Sequence, residues 1–410
     1  MKIKTLKQSK LSQKVLCSVL AASVLGFSGL AMAANSDDLV AEGQTKSYSS
    51  SDAGDGSKKV IGGWNYKDNA DKIEATHGNT DITVTDGKFD EVIGGSHIRV
   101  SKVEGNTLTM GNTKVTISGG EFGYITGGTK VSNASGTITT GDTNVVISGG
   151  TFNQLVMGGN YIKATGNTGA GVAAETTANA NNTSVTISGG TFNDSVYGGS
   201  VADNYGSQQT DGKPKLTVND ETTNLTITAG TFNKTIFGAG MANGENSVVN
   251  VETANLTLKG DGDSILSIKE SGSKGNVFAG GYAVNGGTVN VENTNVNIDN
   301  LSVDYGLNLH AGSKDAGVSN KTSITISNSE LGKANKENKW QIIGGSRITS
   351  DNIKETINDA EEISILINDS HISADVRGGA AVYDKNVSVT NGGSVVELNN
   401  TTLDGFSDQN

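Results

Sequence analysis

Apolar and polar residues alternate along short stretches of this chain, and one such stretch returns many times. In "TSVTISGGTFNDSVYGG" (183–199), Val185 and Ile187 point to one side of an extended backbone and the residues between them to the other. Paired glycines permit a bend, and Phe192 leads into a second apolar run that closes at Gly198-Gly199. A helix needs a different period and tolerates fewer glycines and β-branched residues, so the pattern predicts strand, turn and strand.

Copies of this stretch follow one another over most of the chain. The closing glycines are Gly62-Gly63, Gly94-Gly95, Gly127-Gly128, Gly158-Gly159, Gly198-Gly199, Gly238 with Gly240, Gly280-Gly281, Gly344-Gly345 and Gly378-Gly379. Successive pairs lie 32, 33, 31, 40, 40 and 42 residues apart, then 64 and 34. The longest interval fits two copies, with Ala311-Gly312 as a degenerate marker. This period indicates about ten copies between residue 60 and the end of the chain.

Equivalent positions in the copies hold equivalent side chains. One slot is filled by Phe89, Phe122, Phe152, Phe192 and Phe232. A single copy cannot bury its phenylalanine and aliphatic residues, whereas stacked copies can, because each residue then packs on its counterpart about 4.8 Å away. The repeats therefore predict an all-β fold, a parallel β-helix (β-solenoid) of about ten irregular rungs with Phe ladders in its core. From about residue 254 the Phe slot is lost while the strand pattern continues.

The segments between the copies vary in length at one point, directly after the double glycine. The longest, residues 160–183 and 200–223, are polar and rich in Gly, Asn and Thr, and they should emerge on one face of the fold. Exposed aromatic residues often anchor ligands, so Tyr161 and Tyr205 are the candidate binding-loop residues. Residues 351–362 are expected to form a short surface helix.

The first 33 residues have a different character. Five lysines precede an apolar stretch that ends in Ala31-Met32-Ala33, which is typical of an export signal peptide cleaved between Ala33 and Ala34. An N-terminal membrane anchor is the alternative, but serines and glycines dilute the apolar stretch. The predicted organisation is a signal peptide (1–33), a polar lead-in (34–58) and a β-solenoid repeat domain (59–410).

Composition supports a thin, extended core. Gly accounts for 56 residues, Pro for one, and apolar residues for 34% of the chain, which is little for a compact globule. The net charge of −12 disfavours nucleic acid and anionic membrane surfaces as partners. Cys17 is the one cysteine and belongs to the predicted signal peptide, so the mature chain has no disulfide.

The lysine-rich export signal, the acidic Gly/Thr/Asn-rich body and the "TVTISGGTF…VYGG" rungs together resemble the passenger region of a Gram-negative autotransporter adhesin. The resemblance covers essentially the whole chain and implies a right-handed parallel β-helix. It implies translocation through an outer-membrane barrel and display at the cell surface or release outside the cell. A chain without cysteine suits that route. The C-terminal translocator barrel of the family is absent from the sequence, so the tether to the membrane is inferred. The chain stops partway into a further rung, from which we expect more chain to follow or the reading frame to be truncated.

Catalytic and metal-binding alternatives find weaker support. Pectin-cleaving enzymes share the fold, and "NTD" at Asn79 to Asp81 resembles one polygalacturonase element, but its companion elements are missing. "GDGDS" at Gly260 to Ser264 resembles an isolated part of a calcium-binding repeat, as does "DAGDGS" at 52–57. The four histidines, His77, His97, His310 and His371, show no ligand spacing. No catalytic residue, metal ligand or cofactor is therefore assigned.

Beside the polysaccharide-acting β-helix enzyme, three functional hypotheses remain open. Thr-x-Thr pairs such as Thr83/Thr85 fit an ice-binding face, although Val146/Ser148 breaks the array. The rod could also serve as an inert stalk or spacer. The favoured reading is an adhesin whose loops on one face contact host-cell or extracellular-matrix receptors, glycans or neighbouring bacteria, the last by self-association.

Overall fold

The computed structural model describes residues 38–67, 72–99, 104–164, 175–204, 214–260, 266–270, 273–332, 339–349, 357–383 and 387–404. All of them belong to the second of the two units into which the chain divides, Ala34–Asn410. One four-residue helix, α1 (Ser50–Ala53), occurs in this part of the chain, and every other regular element in it is a strand. The predicted all-β class is confirmed.

The strands are short where bends follow one another closely. They are long where the chain passes from one side of a repeat to the next without a break in the strand. The first twenty strands, β1 to β20 in order, are Leu39–Val40, Lys46–Tyr48, Lys59–Ile61, Asn65–Lys67, Glu74–His77, Thr80–Val84, Lys88–Ile93, His97–Arg99, Asn106–Met110, Thr113–Ile117, Glu121–Thr126, Lys130–Ser132, Gly136–Thr140, Thr143–Ile147, Thr151–Phe152, Val156–Met157, Tyr161–Lys163, Glu175–Phe192, Val196–Tyr197 and Val201–Asp203.

The second half of the described chain continues the same pattern. Strands β21 to β41 in order are Lys215–Phe232, Ile236–Phe237, Met241–Asn243, Ser247–Lys259, Leu266–Glu270, Ser273–Phe278, Tyr282–Val284, Thr288–Asp299, Ser302–Val303, Leu307–His310, Val318–Ser327, Glu330–Leu331, Trp340–Ile343, Arg347–Ile348, Ile357–Asn358, Glu362–Asn368, His371–Arg377, Ala381–Val382, Val389–Thr390, Gly393–Asn399 and Thr402–Asp404.

Strands pair in parallel with their counterparts in neighbouring repeats, and β25 and β26 in addition form a short antiparallel pair. Val115 of β10, for example, lies between Ile82 of β6 and Val145 of β14. The pairing continues through Val185 to Leu225. Most strands in the described part join one 30-stranded sheet, and β4, β8, β12, β17, β20, β23 and β27 form a second, seven-stranded one. The long parallel sheets are consistent with a β-solenoid.

The phenylalanines expected to form a ladder stand in one column of the large sheet, which we call the Phe column. Its members are Phe89, Phe122, Phe152, Phe192 and Phe232, in register through successive strands. All five are at most 1% exposed, and the stacked rings close from 6.1 Å between centroids at the first pair to 4.6 Å at the last. They pack in a core cluster with the inward aliphatic residues of the same strands. A second core cluster lies under the strands that follow each outgrowth.

A threonine in each of several repeats ties the strand to the glycine bend. Thr80, Thr113, Thr143, Thr183 and Thr322 donate their hydroxyl hydrogen bonds to the carbonyls of Gly94, Gly127, Gly158, Gly198 and Gly344 at 2.5 to 2.7 Å. All five threonines are buried. Because a buried hydroxyl without a partner is costly, these bonds satisfy the donor and fix the bend at the same time.

One expectation from the sequence meets a different outcome here. The helix predicted over 351–362 is wrong where the structure describes it, because Ile357–Asn358 form a strand paired in parallel with Val389–Thr390. The remaining part, 351–356, lies outside the described residues. The polar lead-in joins the sheet: β1 pairs with β3, and β2 pairs with β6.

Candidate functional site

The double-glycine bend carries apolar side chains on its outer side as well as its inner side. Val156 belongs to the inner core, so Met157, the next residue in the strand, points to the opposite face. Side chains before and after the bend meet there in a cluster that we call the outer seam. Its members are Met157, Tyr161, Tyr197, Val201, Phe237, Met241, Phe278 and Tyr282.

Aromatic stacking runs along the outer seam from repeat to repeat. The rings of Tyr197, Phe237 and Phe278 follow one another at 5.0 and 5.3 Å between centroids, and His310 continues the stack at 4.7 Å. Across the bend, Tyr282 stacks on Phe237 at 5.4 Å. The seam is therefore a second ladder, which packs the two arms of each bend together.

Tyr161 is not an exposed binding residue. It starts β17, is 2% exposed, and packs in the outer seam with its hydroxyl 3.4 Å from Asp203 Oδ2. Burial, and then the charge of Asp203, raises the pKa of this phenol. Its position directly after the bend forces it into the seam rather than into the outgrowth. Tyr205, the other candidate, lies outside the described residues.

The N-terminal end of the outer seam carries a buried ion cluster. Glu91 is 1% exposed and accepts hydrogen bonds from Lys130 at 2.5 Å and Lys59 at 2.9 Å. Burial alone would raise the pKa of Glu91, but the two lysines hold it below its usual range. Burial also lowers the pKa of Lys130, whose ammonium lies 5.3 Å from the Tyr161 ring centroid. The cluster is internally paired, which favours a structural role.

A polar groove of about 490 Å³ opens on another corner of the repeats, next to the point where the outgrowths return. Asn179, Asn219, Asn250 and Asn290 stand in register along it. Each side-chain amide donates to the Oδ1 of the preceding asparagine, at 2.7 to 2.8 Å. Two residues after the last three of these come the exposed carboxylates of Glu221, Glu252 and Glu292, which also line the groove. The groove therefore offers amides and carboxylates at a regular spacing, groups that hydrogen-bond to polar ligands.

The residues weighed as catalytic candidates have structural partners. Asn79 accepts a hydrogen bond from the backbone N–H of Asn112, and Asp81 pairs with Lys114 at 3.6 Å on the surface. Asp55, of the 52–57 segment, accepts hydrogen bonds from Ser57 in its own turn. Residues 261–265, which hold most of the other calcium-like segment, lie outside the described residues.

The four histidines stand in four different strands, β5, β8, β30 and β37. His77 stacks on Trp64 at 3.5 Å and hydrogen-bonds to Tyr66, and burial lowers its pKa to about 4. Burial lowers the pKa of His97 to about 3, and His371 lies 2.6 Å from Asp404. Among the described residues, no group of His, Cys, Asp and Glu side chains could hold a metal ion. In the same part of the chain no helix is long and apolar enough to cross a membrane.

The threonine column that an ice-binding face would require is interrupted. Thr83, Thr116, Thr186 and Thr226 stand in one register, with Val146 among them. A strict hydroxyl array is therefore broken at its centre.

Sequence reasoning missed the outer seam and the asparagine column. The asparagines could have been found by aligning the repeats on the inward aliphatic residues, since each asparagine stands six residues before Val185, Leu225, Leu256 or Val296. The seam has a weaker signal, because the residue at each of its positions changes from Met to Tyr, Phe and His.

Comparison of the chain with protein-family models, with curated proteins and with solved structures finds no match.

Proposed function

We propose that this chain is an exported, adhesin-like β-solenoid that mediates attachment to host cells, matrix or neighbouring bacteria through one face of its repeats. The observation that carries the proposal is the common origin of the outgrowths. Residues 165–174 and 205–213 follow β17 and β20, whose last residues, Lys163 and Asp203, are in register. Length variation is thereby gathered on one edge of a regular scaffold, as in proteins that bind through loops.

The polar groove adds a second element to this surface. Strands β18 and β21 begin at Glu175 and Lys215, directly after the outgrowths, and both go on to line the groove. Along the sequence, the polar outgrowths thus lead directly into the strands that line the groove. Contact rather than catalysis suits such a surface, because the catalytic candidates have structural partners.

The architecture that we propose for the repeats is a right-handed parallel β-helix of about ten turns. The parallel register between successive repeats supports it, and so does the interval of about 31 to 42 residues between most closing glycine pairs. An experimentally determined structure tests the handedness and the number of turns directly.

The structure supplies a precise way to remove the outgrowths. Between Asn243 and Ser247 the chain makes the same connection with only Gly244, Glu245 and Asn246. Asn243 is in register with Asp203, and Ser247 with Leu216. Replacing residues 164–175 and 204–215 each by Gly-Glu-Asn should leave the sheets intact, and circular dichroism and thermal unfolding check this.

Attachment is then measured with beads that carry the purified protein, on host cells and on matrix-coated surfaces. We expect the doubly shortened protein to lose attachment while remaining folded. Unchanged attachment by a folded variant would refute the loop-mediated function. Loss of bead–bead aggregation alone would favour self-association instead.

Export is tested separately, by mass spectrometry of the mature protein. The proposal requires an N-terminus at or near Ala34 and release to the cell surface, the outer membrane or the medium. Recovery of the intact Met1–Ala33 segment on a cytoplasmic protein would contradict it.

A further inference from the structure

Basic residues occupy the same register position at the two ends of the outer seam. Lys130 is in register with Tyr161, and the column continues through Val201, Met241 and Tyr282 to Lys314 and Arg347. Across the seam, Lys130 faces Glu91, the residue before Val92 in its strand. Val277 is in register with Val92 through the intervening strands. Asn276, the residue before Val277, therefore occupies the position of Glu91 and is the equivalent residue facing Lys314. One end of the seam thus pairs its cation with a carboxylate, and the other end offers a neutral amide.

The cations at the C-terminal end, Lys314 and Arg347, contact aromatic rings and an amide. Among the described residues, no carboxylate lies within 4.0 Å of the charged nitrogens of Lys314 or Arg347. The Lys314 ammonium lies 4.2 Å from the centroid of the Tyr282 ring. Arg347 donates from Nη1 to Asn276 Oδ1 at 2.9 Å, and its guanidinium lies 5.3 Å from the Tyr383 ring centroid. Within the part of the chain that the structure describes, aromatic faces and one amide contact these groups, and no carboxylate forms an ion pair with them.

Buried polar atoms without partners surround the same point. They are Arg347 Nε, His310 Nδ1 and Asn308 Oδ1. His310 is 2% exposed and continues the aromatic stack from Phe278. Burial lowers its pKa to about 3, and the charge of neighbouring Arg347 acts in the same direction. Buried polar groups are normally hydrogen-bonded. Arg347 Nε is a donor, whereas the Asn308 amide oxygen is itself an acceptor. The unpaired Arg347 Nε, together with the charges of Lys314 and Arg347, points to a ligand that supplies an acceptor.

We propose that this end of the outer seam binds an anionic group, a carboxylate or a sulfate, of an acidic polysaccharide. The planar Arg347 guanidinium suits bidentate contact with such a group, and Lys314 adds a second charge. The net charge of −12 opposes an anion at long range, but at physiological ionic strength screening reduces this beyond about 8 Å. The proposal deepens the proposed function, on which it rests for the source of the ligand.

The test uses the purified full chain and three polymer probes: polygalacturonate, which carries carboxylates; heparin, which carries sulfates; and neutral dextran. Calorimetric titration should show binding to at least one acidic polymer and none to dextran, with affinity that falls as salt is added. Binding by only one acidic polymer identifies the group. Absence of binding to both at millimolar concentration, or equal binding of dextran, overturns the proposal.

Two variants of different design should abolish the binding. Lys314→Gln combined with Arg347→Gln removes the charges, and we expect about a tenfold or greater loss of affinity. Asn276→Asp supplies the missing carboxylate from within the protein, and a similar loss is expected although no cation has been removed.

The matched control is Lys114→Gln with Lys234→Gln, which removes two charges at exposed positions. It should keep the wild-type affinity. Equal losses in the control and the Lys314/Arg347 variant would mean non-specific attraction and overturn the site. So would wild-type affinity in Asn276→Asp. These titrations use purified protein and no cells. A failed attachment experiment therefore does not change their result, and the failure of one proposal can be distinguished from the failure of the other.

Discussion

At the scale of single residues, a side chain in this protein owes its environment to its copies in neighbouring repeats. Phe192 has a ring on each side, at 4.7 and 4.6 Å between centroids, whereas Phe89 has one neighbour in the Phe column, at 6.1 Å. Both are buried to the same degree. The position in the column, rather than burial, distinguishes them.

We therefore expect Phe192→Ala to cost more stability than Phe89→Ala. Loss of a buried phenylalanine costs about 3–5 kcal/mol, and stacked partners add about 0.5–1.5 kcal/mol. Denaturant unfolding of the two variants measures the difference. Equal losses would show that ring stacking contributes nothing beyond burial.

Asp220 gives a residue-scale prediction about pH. It is 3% exposed and accepts hydrogen bonds from the backbone N–H of Ser200 at 2.8 Å and from its hydroxyl at 2.6 Å. Burial raises its pKa to about 6 despite these bonds. The folded state therefore keeps the proton up to about pH 6, while the unfolded chain releases it near pH 4. Stability contributed by the protonated form is full below pH 4 and is lost as pH rises from about 4 to 6.

The variant Asp220→Asn cannot titrate at this position. Its free energy of unfolding minus that of the wild type should therefore increase by about 2–3 kcal/mol between pH 4 and 7. Unfolding in urea at several pH values measures this difference, in which other titrating groups cancel. A difference independent of pH would contradict the assignment.

At the scale of elements, the repeat is held by its bends. A Cβ atom on Gly198 would lie 2.2 Å from the carbonyl oxygen of Gly238, since the backbones of successive bends touch. The Thr183 hydroxyl fastens to the Gly198 carbonyl from inside, at 2.7 Å. Close approach, and not conformational freedom alone, thus explains the glycine.

Gly198→Ala should destabilise the protein severely or prevent it from accumulating, because a contact with backbone cannot be relieved by a side-chain movement. The matched control is Gly78→Ala, where an added Cβ meets no atom within 4 Å. It should change the free energy of unfolding by no more than about 0.5 kcal/mol. Soluble yield and melting temperature compare the two. A well-folded Gly198→Ala protein would show that the bends can separate.

The sequence predicted structure well where the same residue recurs in successive repeats. It predicted poorly where the environment of a residue depends on how distant parts of the chain meet. The Phe column and the bends could be predicted, because a phenylalanine returns five or six residues before Gly198 and its counterparts. The burial of Tyr161 could not, since it depends on how the two arms of a bend meet outside the core. Ile357 illustrates the same limit: a local pattern suggested a helix, and pairing with Val389 made a strand.

At the scale of the whole molecule, almost all pairing is non-local. Val145 pairs with Val115 and Val185, which lie 30 and 40 residues away. Parallel pairing of this kind must close long loops before it gains contacts, which slows folding. Refolding from denaturant should therefore take on the order of seconds or longer, with unfolding and refolding curves that fail to coincide.

Stopped-flow and manual-mixing fluorescence measure these rates, using Trp64 and Trp340 as probes. The measurement is repeated at several protein concentrations, so that aggregation, which depends on concentration, is separated from slow folding. Complete refolding within milliseconds would contradict the prediction.

The Thr–Gly hydrogen bond has a consequence for how such a gene can change. Thr143 and Thr183 each reach a glycine 15 residues ahead, Gly158 and Gly198, although their repeats differ in length. In these two repeats the block from threonine to glycine is constant in length and the variable outgrowth lies outside it, whereas the block from Thr322 to Gly344 spans 22 residues. An in-frame duplication or deletion of one whole unit leaves every column in phase, so unequal recombination can lengthen or shorten the protein without a folding penalty at the new junction. Selection on the outgrowths can then proceed copy by copy, each new unit inheriting a fold that is already paired on both sides.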